Sequence, residues 1–214
     1  MNRPDQQQYF YQHGREIIQS APQLYIDLDV EADGKAGYGS LLSIGAISPW
    51  GETFYQELCP ASELWVPDQR QFCENHGLSR GRLLKEGTPP ATAVSNLSDW
   101  QAALRQKYNK AASILVAFNA SFDYPLVDLE YLRAGQTNPF GIAGYCIKSL
   151  AMALGTGYDW RDTSKGRLPA DIVPEGEFTH QALEDAKYQQ TLHFAMIGKL
   201  SCKQGLISLP DSKL

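Results

Sequence analysis

Cysteine is scarce in this 214-residue sequence, and the four present, Cys59, Cys73, Cys146 and Cys202, are scattered. No two stand at metal-ligand spacing, which excludes a zinc ribbon or a disulfide framework and predicts reduced thiols, mostly core filler. Long apolar runs are missing as well: nothing approaches the roughly 18–20 residues that span a bilayer. Residues 1–19 are polar and Gln-rich, without the apolar segment and small-residue cleavage site of an export signal. A cytoplasmic protein with no membrane partner is therefore expected. No internal repeat or interdomain linker interrupts the chain. Its length predicts one domain over residues 24–200, with an arm or short helix at 1–23 and a tail at 201–214. A basic excess is lacking too. The 19 Lys and Arg against 24 Asp and Glu give a net charge of −5. That balance disfavours a polyanionic partner unless clustered carboxylates hold divalent cations, which reverse the sign of the local field. What is present is a 43% hydrophobic, 20% charged composition, able to bury a real core.

Hydrophobic periodicity organises the chain. Over residues 24–30, Leu24, Ile26, Leu28 and Val30 alternate with Tyr25, Asp27 and Asp29, which is strand periodicity. A Gly-bearing turn follows, then β-like runs at 40–48 and 52–58 around Pro49-Trp50-Gly51, which predict a hairpin. Residues 68–106 carry no strand signal, and Ala93, Leu97, Trp100 and Leu104 recur at helical spacing behind Pro89-Pro90. A short apolar strand at 113–118 precedes helix candidates at 122–132 and 147–154. Residues 155–176 are loop-like, and a long helix is predicted over 181–200. The resulting mixed α/β order implies an antiparallel three-stranded meander extended by parallel strands, with helices on the faces.

Several carboxylates fall at junctions of this pattern. Asp29 and Glu31, two apart at a strand end, point to one face. Their repulsion is relieved by a cation that prefers oxygen ligands. Without one, the pair is simply a polar strand end facing solvent. Alternation also puts Asp27 on that face, so Asp27/Asp29 and Asp29/Glu31 are both possible pairs. The turn after Glu31 favours the second, leaving Asp27 as an exposed strand residue or as a partner behind the ligands. Asp123 follows the strand at 113–118, in the first helical turn, a position that suits both a ligand site and the helix dipole. His180 and Asp185 are five residues apart. On one continuous helix they would diverge by about 140°, so a shared site requires His180 in the loop before that helix.

Three motifs carry a family resemblance. Asp29-Val30-Glu31-Ala32-Asp33-Gly34 is similar to D-x-E-x-x-G, with Ser43-Ile44-Gly45-Ala46-Ile47 as the strand that follows. Phe118-Asn119-Ala120-Ser121-Phe122-Asp123 is similar to (H)-N-A-x-F-D, and His180-Gln181-Ala182-Leu183-Glu184-Asp185-Ala186 to H-x-A-L-x-D-A. In this order they resemble the DEDDh 3'-5' exonucleases, over about residues 24–198. The resemblance implies a ribonuclease H-like fold and two Mg2+ or Mn2+ ions. Asp29, Glu31 and Asp185 would hold one ion, and Asp29 with Asp123 the second. His180 would be the general base. The sequence departs from the family at Phe118, where many relatives carry His, and at Ala32-Asp33, where many carry a hydroxyl pair.

The implied partner is the 3' end of single-stranded RNA or DNA, with Asn119 a substrate contact. Arg161, Lys165 and Arg167 are further candidates, for the phosphates. Tyr158 and Trp160 could stack on bases. Two other readings compete: a phosphodiesterase acting on small oligonucleotides, and a nucleic-acid-end binding module that does not cut. All four motif carboxylates are present, which argues against the binder.

Overall fold

Alternation of aliphatic and polar residues builds the central strand first. In this computed structural model, which describes residues 3–154, 159–176 and 179–207, β1 (Leu24–Ala32) buries Leu24, Ile26, Leu28 and Val30 on one face. Full burial of each such side chain contributes about 1.5–3 kcal/mol. β2 (Leu41–Ile47) pairs antiparallel with β1, and β3 (Thr53–Glu57) pairs antiparallel with β2. On the other side β4 (Ser113–Ala117) runs parallel to β1, and the two-residue β5 (Tyr145–Cys146) parallel to β4. The order is β3-β2-β1-β4-β5. This is the expected meander extended by parallel strands.

Helices cover both faces. α4 (Pro90–Lys107) and α5 (Ala120–Arg133) pack on the aliphatic face of β1, through Val94, Leu97, Leu126 and Val127. The opposite face meets α7 (Ala182–Lys203), with α6 (Ile147–Ala153) and α1 (Arg3–Ser20) beside it. α2 (Pro67–Asn75) and α3 (Arg80–Glu86) pack over Leu42, Cys73, Leu78 and Leu83, with α2 against the end of β1. Two 3-10 turns, Trp160–Thr163 and Lys165–Arg167, occupy the expected loop. No helix among the described residues is long and apolar enough to cross a membrane.

The segment expected as an arm or short helix is an 18-residue helix lying along α7. Two glycines allow that close crossing. A Cβ on Gly14 would lie 1.8 Å from the Phe194 carbonyl oxygen, and one on Gly198 would lie 2.0 Å from that of Phe10. A third glycine sets the start of α7. A Cβ on Gly45 would stand 2.1 Å from the Leu183 nitrogen, so the bare backbone of β2 lets the first turn of α7 rest on it.

The β2–β3 hairpin is pinned from outside the sheet. Glu52 accepts hydrogen bonds from Ser48, Lys107 and Tyr108, and Tyr108 stacks on Trp50 at 3.6 Å between ring centroids. Burial raises the Glu52 carboxyl, but those three donors together outweigh it and hold the group at about 2.

Candidate active site

Because side chains alternate along β1, Asp27, Asp29 and Glu31 all face α7, and the elements around them sort their environments. The N-terminal turn of α7 brings in Asp185, only 3% exposed. One Asp185 oxygen accepts from the Thr179 backbone nitrogen at 2.7 Å and from its hydroxyl at 3.3 Å; the other accepts from the His180 nitrogen at 3.2 Å. His180 therefore lies in the turn before the helix, as the five-residue spacing demands, and its backbone is left-handed with φ +56°. Ligand atoms of Glu31, His180 and Asp185 all lie within 4.8 Å of one another.

Asp123 reaches the same strand end from the first turn of α5. Its carboxylate, 5% exposed, accepts from the Val30 nitrogen, between Asp29 and Glu31, at 3.3 Å. Asn119 is the residue before α5, where its side chain accepts from the Ser121 hydroxyl at 3.1 Å. Three sequence-distant segments, β1, the head of α5 and the turn into α7, thus meet at the end of β1. A donor set of carboxylate oxygens with one imidazole suits a hard divalent cation such as Mg2+ or Mn2+.

Asp27 is not the exposed strand residue that alternation first suggests. It is fully buried, with its carboxylate 3.2 Å from Nδ1 of the equally buried His193 on α7. One helical turn nearer the site, Gln189 ties α7 to the seam between the parallel strands. Its amide donates to the Leu28 and Val116 carbonyls at 3.3 and 3.0 Å, and its oxygen accepts from the Phe118 nitrogen at 2.6 Å. Asp33, the departure in the first motif, is also fully buried. It accepts from the Ser40 nitrogen and pairs with Arg80, which fastens the turn after β1 to α3.

The arginines read as phosphate contacts are paired within their own loop. Arg161 binds Asp159, whose carboxyl it holds below the usual range, and Arg167 binds Asp162 at 3.1 Å. The Lys165 side chain and Tyr158 lie outside the described residues. A cation that the sequence did not flag is Lys148 on α6, whose ammonium sits 4.5 Å from the ring centre of the half-exposed Trp160. Also unflagged is a cavity of about 390 Å³ beside His180, lined by Ser43, Tyr55, Glu57, His76 and Arg82 among others. Glu31, Ser43 and Glu57 are successive cross-strand neighbours, so the cavity continues the carboxylate row toward β3. Arg82, hydrogen-bonded to Glu57, keeps that carboxyl low, while burial and the Glu57 charge push Tyr55 up to about 12.

A ribonuclease H-like sheet with acidic residues gathered at the end of its central strand defines the class, a metal-dependent nuclease. No protein-family model matches the chain. Over 187 residues, 86% of this chain and 96% of the relative, it is 33% identical to the 3'-5' DNA exonuclease Cap18 of Escherichia coli. The fold matches the nuclease domain of 3'hExo, a DEDDh family member bound to rAMP, with TM-score 0.59 and 12% identity over 85% of this chain and 92% of that one. It also matches S. pombe Pop2p in its Mg2+- and Mn2+-bound form, with TM-score 0.57 and 14% identity over 100% and 95% of the two chains. The chain belongs to the DEDDh family of 3'-5' exonucleases, and is a metal-dependent 3'-5' exonuclease.

Proposed function

We propose that the enzyme removes nucleotides singly from the 3' end of single-stranded RNA or DNA and releases nucleoside 5'-monophosphates. The observation that carries this reading is the meeting of Glu31, Asp123, His180 and Asp185 at the end of β1, beside Asp29. Asp29, Glu31 and Asp185 hold one divalent ion, and Asp29 with Asp123 holds a second. Bound there, Mg2+ or Mn2+ supplies a water of lowered pKa and neutralises charge at the phosphate. His180 accepts the proton of the attacking water at an imidazole nitrogen. Asn119, at the head of α5, contacts the substrate strand. Lys148 and Trp160 offer a cation and an aromatic face to the nucleotides behind the scissile bond, and Arg161, Lys165 and Arg167 are further candidates for phosphate contacts.

The cavity beside His180 lies within the roughly 300–1,000 Å³ range of small-molecule clefts. It supports a seat for the departing nucleotide, and it favours as a second reading an enzyme that prefers very short oligonucleotides. The test is to incubate 5'-labelled RNA, DNA and a dinucleotide with the protein in Mg2+, Mn2+ or EDTA, beside Asp29→Ala. A ladder that shortens from the 3' end, needs metal and is lost in the variant is the expected result. Cleavage of the dinucleotide alone would select the second reading, and intact substrate in every lane would overturn both. His180→Ala is expected to lower kcat by about 10²–10⁴.

A further inference from the structure

We propose that Phe72, on the outer face of α2, and His76, just after that helix, form an aromatic cradle that positions His180. Phe72, which does not line the cavity beside His180, would be a positioning residue rather than a contact to substrate. The inference rests on the reading of His180 as the proton acceptor.

His180 needs such support. It is one of two non-glycine residues with positive φ among those described, a conformation that L-residues disfavour and that persists only where the surroundings hold it. The three hydrogen bonds onto Asp185 come from the Thr179 nitrogen and hydroxyl and the His180 nitrogen, so they fix the turn but leave the imidazole free to rotate. Aromatic edges hold the ring itself. Phe72 meets it nearly perpendicular, at 81° and 4.6 Å between centroids, and His76 at 65° and 5.0 Å. These are preferred edge-to-face geometries.

The cradle is itself held. Phe72 and His76 are four residues apart at the end of α2, where their rings contact at 4.4 Å. Nδ1 of His76 bonds the Phe72 carbonyl at 2.8 Å, which locks that second ring. Beneath them Cys73, 2% exposed, places its sulfur 3.4 Å from the Ala32 carbonyl, and the Val66 nitrogen donates to the Asp33 carbonyl at 2.7 Å. α2 is thereby fastened to the strand end that carries Glu31. The imidazole is referenced to the carboxylates by a second element, independent of the helix it precedes. Core packing does not explain Phe72, because the side chain is 39% exposed.

The experiment is a double-mutant cycle with steady-state kinetics on a labelled oligonucleotide. Phe72→Leu is expected to lower kcat about threefold to tenfold with KM nearly unchanged, the scale of one lost aromatic pair. Phe72→Tyr is expected to restore it. In a His180→Ala background, Phe72→Leu is expected to add nothing. In the metal-free protein the His180 ring-proton resonance is expected to shift when the Phe72 ring current is removed. A raised KM at constant kcat, or the same loss in the His180→Ala background, would make Phe72 a substrate contact and overturn the cradle. An unmoved kcat together with an unmoved resonance would do the same. Full activity in His180→Ala alone would instead overturn the proton-acceptor reading.

Discussion

Asp27 and Asp29 share one face of β1, and α7 decides what each can do. Its first turn leaves Asp29 at the mouth, while its fourth turn closes over Asp27 with His193. Truncating Asp27 to Ala strands the His193 imidazole in the core. It is expected to cost about 1–3 kcal/mol of stability, read as a lower urea midpoint. Cys73 gives a second contrast at this scale. Burial, with Glu31 and Asp33 nearby, pushes its thiol up to about 12, whereas Cys59, Cys146 and Cys202 are only partly buried. A thiol reagent at neutral pH is expected to label those three well before Cys73, with full labelling only on unfolding; prompt labelling of all four would contradict the burial argument. The motif residues were readable because each sits at a strand end, a strand–helix junction or a helix start. The fate of Asp27 was not readable, since alternation fixes a face but says nothing of what covers it. Phe72, His76 and Arg82 were equally hidden, because the groups they meet at the site, His180 and Glu57, are more than twenty residues distant in the chain.

Elements meet the site through places where side chains are absent. Gly45→Ala puts a methyl group into the backbone of Ala182 and Leu183, atoms with no freedom to yield. Overpacking of this kind costs about 1–3 kcal/mol, and here it also lifts the turn that carries His180 and Asp185. The expected outcome is a lowered melting temperature together with a fall in kcat. A stable but fully active variant would show that α7 does not set the site. The Glu52 pin acts on the hairpin instead. Its folded carboxyl stands at about 2 against an ordinary 4.5, so the stability it contributes is present above pH 4.5 and declines as pH falls toward 2. Glu52→Gln should therefore flatten that part of the acid limb of a stability–pH curve while leaving activity at neutral pH unchanged. Element type followed from the sequence wherever a run was long enough to show a period. β5, with two residues, carries none, and the buried stripe of α1 is narrow, Phe10 and Ile18 with Gly14 between them.

For the whole molecule, a net charge of −5 must be reconciled with a polyanionic substrate. With Arg161 and Arg167 already paired to neighbouring acids, attraction for a strand end is expected to depend largely on divalent cations at the proposed carboxylate site. Chelation is thus expected to weaken strand binding itself, not turnover alone. Fluorescence anisotropy of a labelled oligonucleotide with Asp29→Ala and with EDTA would measure this. Tight binding in EDTA would place the affinity elsewhere on the surface.

The order of the elements along the chain has a further bearing. Asp29 and Glu31 lie on β1, Asp123 on α5, and His180 and Asp185 at α7, which follows the others in the chain and packs along α1, the first helix. During translation the early strands emerge long before the helix that completes the carboxylate set. A ribosome-bound chain short of α7 lacks His180 and Asp185, so the centre is completed only when that helix has packed against β1 and β2.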